Sequence, residues 1–283
     1  MRRLLLIICL FLSSFTVVKA QDNLDKSILW EISGNGLAGS SYVLGTFHLV
    51  CEEDLHLADK VLAVVESVDQ IALEVNLADI DELMSMQSLM MSTVSLSSQL
   101  TEKEQIEFRD LLQYKYALDL DVVDHFQPIV LMGMLAMKDV PCPVKGYDME
   151  ILNLGLRKNK PILGLEHFKD QIEMTNRIYT AKEILTQLRS EEDGEANFST
   201  MLDAFKQEDI ERLYRIATEP ASLSEEGKIV LLDNRNRAWV EKMGDLMPRE
   251  RILFAVGAGH LAGNKGVIQL LKNAGYQVKA VLN

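Results

Sequence analysis

Residues 251–282 read R-I-L-F-A-V-G-A-G-H-L-A-G-N-K-G-V-I-Q-L-L-K-N-A-G-Y-Q-V-K-A-V-L, and this stretch decides the fold class. The apolar run at 251–256 predicts a buried strand. Apolar residues at helical spacing predict a helix over 263–274, and a closing strand is predicted over 277–282. A strand, a helix and a second strand form the repeating unit of α/β proteins.

The same pattern occurs nearer the start of the chain. Strands are predicted over 27–33 and 41–48, and the glycine-rich turn between them indicates a hairpin. A helix over 54–67 then leads to a buried strand over 69–75. In the middle of the chain, a strand is predicted over 161–166 between two helices.

Two long stretches, about 77–139 and 180–243, have helical patterns instead, and we expect them to be helical insertions. Thr101 and Glu104 have the spacing of a capping box, so a helix is expected to begin there. No low-complexity linker divides the chain, and residues 21–283 are therefore expected to form a single domain. These patterns predict an α/β fold with a mostly parallel or mixed central sheet, flanked by helices.

Composition and charge exclude some classes of function. The chain has 283 residues, of which 48% are hydrophobic and 25% charged, as is usual for a globular protein. Its 42 acidic and 29 basic residues give a formal charge of −13. This charge argues against nucleic acid and against an anionic membrane surface as partners, since both reward clusters of lysine and arginine.

Residues 1–20 have the layout of a secretory signal peptide. Two arginines precede an apolar run over 4–18, and Val18 and Ala20 stand at the −3 and −1 positions of a cleavage site. The run is short for a membrane span. We therefore expect an exported protein, periplasmic or secreted, with no membrane association after cleavage.

The mature chain keeps two cysteines, Cys51 and Cys142. An oxidising compartment allows them to form a disulfide, but sequence alone leaves the pairing open. Cys51 lies three residues after His48, so a cysteine nucleophile is an alternative, although an untypical one.

Two distant segments share one motif. Residues 43–49 read V-L-G-T-F-H-L and residues 255–261 read A-V-G-A-G-H-L, so an apolar strand runs into Gly-x-x-His-Leu in both. The glycine is expected to let the backbone turn sharply. His48 and His260 would then project past the carboxyl ends of their strands, where open α/β sheets bind ligands.

Glu74 and Glu166 follow two other buried strands in a similar way. A carboxylate at the end of such a strand is costly to desolvate unless a cation or a hydrogen-bond donor meets it. Four strands are thus expected to bring two histidines and two glutamates to one edge of the sheet. Such a cluster suits a divalent metal that activates water, or a general acid/base set without metal.

These segments resemble the TraB/GumN family. The matching motifs are residues 45–48, 73–74, 164–166 and 257–263, and residues 266–276 are similar to the family's C-terminal helix and strand. The resemblance covers essentially the whole mature chain. That family is similar to the TIKI metalloproteases and, more distantly, to erythromycin esterases and haem-binding ChaN-type proteins.

The resemblance implies an exported metal-dependent hydrolase, a peptidase acting on a peptide or small-molecule substrate. His48, Glu74 and His260 would hold a zinc, manganese or cobalt ion and leave a position for water. Glu166 would be the base or a further ligand. An arginine of the family's basic element would stabilise an oxyanion. The candidate catalytic residues are therefore His48, Glu74, Glu166, Arg235, Arg237 and His260.

Two other functions stay open from the sequence. One is a binding protein of the same fold that captures a peptide, haem or a metal without turnover. The other is a metal-free, esterase-like hydrolase with the same residues. Asp148 and Gln171 are candidates for groups that orient the site residues, although a helix cap explains Asp148 equally well.

The remaining histidines and the methionines are given structural roles. His56, His125 and His167 are expected outside the site. Methionines are soft ligands for copper(I), but helix packing or the lining of a substrate groove explains their spacing better. The methionines in question are Met84, Met86, Met90, Met91, Met132, Met134 and Met137.

Overall fold

The structure is a computed structural model that describes residues 24–190, 193–220 and 223–282. The predicted signal peptide at 1–20 lies outside the described residues. The strands are β1 (Leu29–Ser33), β2 (Ser41–Thr46), β3 (Val50–Cys51), β4 (Gln70–Leu73), β5 (Val144–Lys145), β6 (Ile162–Gly164), β7 (Ile252–Gly257) and β8 (Gln277–Ala280). The helices are α1 (Asp59–Ser67), α2 (Ile80–Leu89), α3 (Glu102–Tyr116), α4 (Leu120–Val123), α5 (Pro128–Lys138), α6 (Tyr147–Arg157), α7 (Phe168–Ile178), α8 (Ala181–Arg189), α9 (Gly194–Lys206), α10 (Ile210–Ala217), α11 (Glu225–Lys228), α12 (Asn234–Leu246) and α13 (Val267–Asn273).

Six strands form one mixed sheet in the order β6-β4-β7-β2-β1-β8. The first four are parallel, with Ile71 opposite Ile162 and Val43 opposite Phe254. β1 pairs antiparallel with both β2 and β8, so the predicted hairpin is present. The predicted α/β fold with a mixed central sheet flanked by helices is confirmed.

The main core lies around this sheet. Every residue of β7 is buried, as expected for a parallel strand with neighbours on both sides and helices packed on the sheet. Side chains from α1, α6, α12 and α13 complete this core, among them Val65, Ile151, Trp239 and Leu271.

Two helices begin later than the sequence pattern predicts. Residues 52–54 form a 3₁₀ turn and Leu55 is extended, so α1 begins at Asp59 rather than at residue 54. Near the end of the chain, Gly263 has a φ of +88° and ends any helical path there. A turn bond from Gly266 N to Gly263 O follows, and α13 begins at Val267.

Both stretches predicted as insertions are largely helical. α3 begins with the predicted capping box, in which Thr101 and Glu104 each bond the other's backbone N–H. The helices α3, α4, α5 and α8 enclose a second hydrophobic core, which includes Phe108, Leu131 and Ile184. In the part of the chain that the structure describes, no helix combines the length and the apolar character needed to cross a bilayer.

Candidate functional site

The four predicted side chains lie along one edge of the sheet. His48 follows β2, Glu74 follows β4, Glu166 follows β6, and His260 ends a 3₁₀ turn after β7. These strands are neighbours and parallel, so their carboxyl ends meet at the same edge. The pairing of β4 with β6 continues past the strands, where Glu166 N donates to Glu74 O at 2.9 Å.

Neither glycine of the two Gly-x-x-His motifs has a positive φ, so the sharp turn expected there is not what requires a glycine. Gly257 has a φ of −52° and a ψ of 132°, which any residue adopts. A Cβ on Gly257 would lie 3.4 Å from Glu74 Oε1, 3.5 Å from His48 Nε2 and 3.6 Å from His260 Cδ2. The space in front of Gly257 is therefore where both histidines and Glu74 converge.

Asp148 holds the His48 ring. Its Oδ2 lies 2.8 Å from His48 Nδ1, and Thr46 donates a hydrogen bond to its other oxygen. Gly146, not Asp148, occupies the N-cap position of α6. Of the two explanations that the sequence left open, the structure places Asp148 where it orients an imidazole, with Nε2 facing the cleft.

A short two-stranded ribbon joins the segments that carry His48 and Asp148. β3 follows His48 and pairs with β5, which precedes Asp148. Cys51 and Cys142 form a disulfide beside the ribbon, with their Cα atoms 5.6 Å apart. The disulfide that the sequence left open is therefore present.

Arg235 joins the two glutamates. It lies at the start of α12, and its Nη2 donates to Glu74 Oε2 and to Glu166 Oε1, both at 2.6 Å. Gln171 Nε2 donates to Glu166 Oε1 at 2.8 Å and to Glu74 Oε2 at 3.4 Å. Glu74 Oε1 accepts the Gly257 N–H at 2.8 Å. Each carboxylate thus has the cation and the donors that its burial requires.

His260 is buried between α12 and the sheet. Its Nδ1 lies 2.6 Å from Asn236 Oδ1, and its Nε2 lies 3.2 Å from Arg235 Nη1. The Trp239 ring packs against the imidazole with centroids 4.5 Å apart and against the Arg235 guanidinium at 4.6 Å. Trp239 Nε1 also donates to Glu166 Oε2 at 3.3 Å.

The two histidines of the site have very different pKa values. The Asp148 carboxylate raises the pKa of His48 to about 9. Water screens part of this attraction, since 67% of the His48 side chain is exposed in the cleft. Burial, followed by the Arg235 charge, lowers the pKa of His260 to about 3. His260 is therefore neutral at pH 7, whereas the pKa of His48 favours the imidazolium.

Glu74 is ionised despite its burial. Burial alone would raise the pKa of this carboxyl, but Arg235, both histidines and the Gly257 N–H outweigh it and lower the pKa to about 2. The site thus holds an ionised carboxylate between a neutral and a readily protonated imidazole.

The structure does not bring every candidate to this edge. Arg237 is exposed and its guanidinium contacts Asn234 at 3.4 Å. The ring of His167 lies 2.9 Å from Glu82 and is largely exposed. The imidazole of His125 lies near the backbone of residue 92, and His56 is exposed.

Two residues of the site, Asn236 and Trp239, have no part in the sequence analysis. A helix that begins at 234 places residues 235 and 239 on one face, four positions apart. Residues 235 and 237 point about 200° apart on the same helix. If this segment had been recognised as one helix, its periodicity would have indicated that Arg235 and Trp239 face the site together and that Arg237 points away from it.

Two apolar cavities border the converging side chains, and His48 lines both. The first cavity, about 450 Å³, is lined by Glu74, Asp148, Gln171 and Arg235 together with apolar side chains of several helices. Those apolar side chains include Met86, Ile129, Met149, Phe168 and Ile172. The second cavity, about 470 Å³, is lined by residues 257–260 and by Phe47, Phe198 and Met201.

The predicted metal ligands do not fit a metal ion in this arrangement. Arg235 donates to Glu74 and faces His260 Nε2, which is the atom that His260 would offer to a metal. Among the described residues, no group of three or more histidine, cysteine, aspartate or glutamate side chains is arranged to hold a metal ion. The metal site at His48, Glu74 and His260 stays a prediction.

Comparison with known proteins identifies the family of this chain. The chain is 23% identical over 274 residues to an uncharacterized protein of Treponema pallidum (strain Nichols), a match that covers 87% of this chain and 80% of that protein. The model of the TraB/PrgY/gumN family matches residues 28–280, which include all four strand ends and α12. The chain belongs to the TraB/PrgY/gumN family.

Proposed function

We propose that this protein is an exported hydrolase that cleaves peptides, with His48 as the group that moves the proton of the attacking water. One observation carries the proposal. His48 is oriented by Asp148 through Nδ1 and presents Nε2 beside Glu74, where both apolar cavities meet. A histidine held by a carboxylate in this way is a recurrent general acid/base arrangement.

The proton transfers follow from these contacts. With its pKa raised to about 9, His48 acts as a base through its neutral fraction, which grows as the pH rises toward that value. In that form His48 accepts a proton from water at Nε2 while the water oxygen attacks the carbonyl carbon of the substrate. Asp148 stabilises the imidazolium that forms, and His48 then gives the proton to the departing amine. Arg235 keeps Glu74 ionised and holds both Glu74 and Glu166 in place, and His260 stays neutral beside them.

Two features support export. Residues 1–20 have the pattern of a signal peptide, and Cys51 and Cys142 form a disulfide. Disulfides persist in oxidising compartments such as the periplasm or the extracellular space. The proposed location is therefore the periplasm or the outside of the cell.

The proposal has two rivals. One is a hydrolase that uses a zinc, manganese or cobalt ion at His48, Glu74 and His260, which requires Arg235 to leave His260 Nε2. The observation in its favour is that both imidazoles are held through Nδ1, as metal-binding histidines commonly are. The other rival is a binding protein that retains its peptide and releases no product.

A peptide-library screen tests the proposal. The mature chain is incubated with internally quenched peptides, and product is identified by mass spectrometry. We expect cleavage by the unaltered protein, loss of at least about a hundredfold in His48→Ala, and near-normal rates in the matched control His167→Ala. His167 also pairs with a carboxylate but lies outside the site. Stoichiometric peptide retention without product, or full activity in His48→Ala, would overturn the proposal.

A further inference from the structure

Arg235 makes an unusually complete set of contacts. Nη2 donates to Glu74 and Glu166, and Nε also donates to Glu166, at 3.1 Å. Nη1 donates to Leu231 O at 3.1 Å and faces His260 Nε2 at 3.2 Å. A guanidinium has five N–H groups, and each of these has an acceptor here. Since only 12% of the side chain is exposed, these contacts are shielded from water.

His260 can act only as an acceptor toward Arg235. Asn236 Nδ2 donates to Lys265 O at 2.9 Å, which turns Asn236 Oδ1 toward the imidazole. An amide oxygen accepts but never donates, so the proton of neutral His260 lies on Nδ1. The lone pair is then on Nε2, and an arginine N–H, which is always a donor, points at it.

We propose that the Arg235 guanidinium is the resident cation of this site and occupies the position that a divalent metal would need. The two carboxylates and the His260 lone pair that would ligate a metal are the groups that Arg235 holds. The wild-type chain is therefore expected to bind no metal at His48, Glu74 and His260. The further statement that hydrolysis proceeds without metal rests on the proposed function, whereas the binding statement does not.

This proposal has a consequence for a variant without the guanidinium. Arg235→Met keeps a long side chain but removes the charge and all five donors. It leaves Glu74 and Glu166, whose side chains are 12% and 10% exposed, without the guanidinium that joins them. Two carboxylates and two imidazoles form a favourable ligand set for zinc or cobalt. We expect Arg235→Met to gain a metal site that the natural sequence lacks.

The experiment measures metal binding directly. Mature wild-type protein, Arg235→Met and the double variant Arg235→Met/His260→Ala are titrated with Co²⁺ and Zn²⁺. Binding is followed by calorimetry, by elemental analysis after gel filtration and by the visible absorption of bound Co²⁺. We expect no stoichiometric binding in wild type, binding in Arg235→Met that is tighter by a hundredfold or more, and its loss in the double variant.

Each outcome decides the proposal. One equivalent of metal in wild type that His260→Ala abolishes overturns it, and this arm holds whether or not Arg235→Met folds. Circular dichroism shows whether Arg235→Met is folded, and a folded variant that binds no metal also overturns it. The control Arg235→Lys keeps a positive charge and should stay metal-free. Absence of peptidase activity contradicts the proposed function and leaves these metal readouts unchanged.

Discussion

The Nδ1 atom of His48 faces the Asp148 carboxylate at 2.8 Å, and an imidazolium in that position is stabilised by the negative charge. The pKa of His48 is therefore raised, to about 9. Asp148→Asn removes the charge but keeps the size, so the pKa should fall toward the ordinary value of 6.5. Nuclear magnetic resonance of the imidazole protons measures this shift, and an unchanged His48 titration in Asp148→Asn would contradict it.

The sign of the pH effect on folding follows from the same pair. A pKa raised in the folded state contributes stability that is full below about 6.5 and is lost as the pH rises through about 9. Asp148→Asn should thus lose stability relative to wild type mainly at the acidic end of that window. The control Glu82→Gln should move the titration of His167 alone, since Glu82 is the group that raises the pKa of His167.

Asn236 sets the orientation of His260, and its removal has a predictable cost. Asn236 is buried, so Asn236→Ala leaves His260 Nδ1 without its acceptor and Lys265 O without its donor. An unsatisfied buried group costs about 1–3 kcal/mol. Urea unfolding should show a loss of that size, whereas Asn234→Ala, on the exposed side of the same helix, should be close to neutral. Equal stability of both variants would refute the role of Asn236.

Replacement of the glycine by alanine should have different effects in the two Gly-x-x-His motifs: it should affect stability at Gly45 and activity at Gly257. A Cβ on Gly45 would lie 2.8 Å from Leu261 Cδ1 and 3.0 Å from Ala258 Cβ, so Gly45→Ala should destabilise the fold by about 1–3 kcal/mol. A Cβ on Gly257 meets Glu74 and both histidines at ordinary contact distances.

The Gly257→Ala variant should therefore fold normally, but its added methyl group should fill the space in which water and substrate must bind. We expect an unchanged Tm and a loss of peptidase activity of about tenfold or more. Thermal unfolding and kcat/KM of the two alanine variants, measured side by side, separate packing from function. A Gly257→Ala protein with full activity would show that the reaction occurs elsewhere.

The strands and helices explain which residues of the site can be predicted from the sequence. His48, Glu74, Glu166 and His260 each follow an apolar strand, and parallel strands end at a common edge, so their convergence follows from local patterns. The contacts of Arg235 do not follow from local patterns, because they depend on where α12 begins. A π-helical turn, Ile229–Asp233, precedes α12 and brings Leu231 O to the guanidinium. Local periodicity carries no sign of such a turn.

For the whole molecule, the least predictable feature was the pairing of distant segments. Arg235 reaches Glu74 across 161 positions and His48 reaches Asp148 across 100. The segment between Cys51 and Cys142 contains the strand β4 as well as α1, α2, α3, α4 and α5, so their bond depends on how that whole segment folds. Sequence offers the cysteines, but only the folded chain brings their Cα atoms within bonding range.

The disulfide links the helical stretch to the site. The double variant Cys51→Ser, Cys142→Ser frees a loop of 91 residues and should lose about 2–4 kcal/mol of stability. Because β3 and β5 position His48 and Asp148, activity should also fall under conditions where the variant is still folded. Urea unfolding and assays at low temperature measure the two effects, and a fully active, folded double variant would rule out the positioning role.

If the proposed function is right, the two cavities determine how a peptide substrate lies across the molecule. His48 lines both, so a peptide that reaches its Nε2 places apolar side chains in one cavity, the other or both. Met149→Trp narrows the first cavity and Met201→Trp narrows the second, whereas Met137→Trp changes an exposed methionine that lines neither. Each cavity variant should raise KM about tenfold for peptides with bulky residues on one side of the cleaved bond only. Large residues on the other side of the cleaved bond should still fit. The two variants should therefore prefer peptides whose bulky residues lie on opposite sides of that bond, and Met137→Trp should keep the wild-type preference. Identical selection by both cavity variants would mean that the substrate occupies a single cavity.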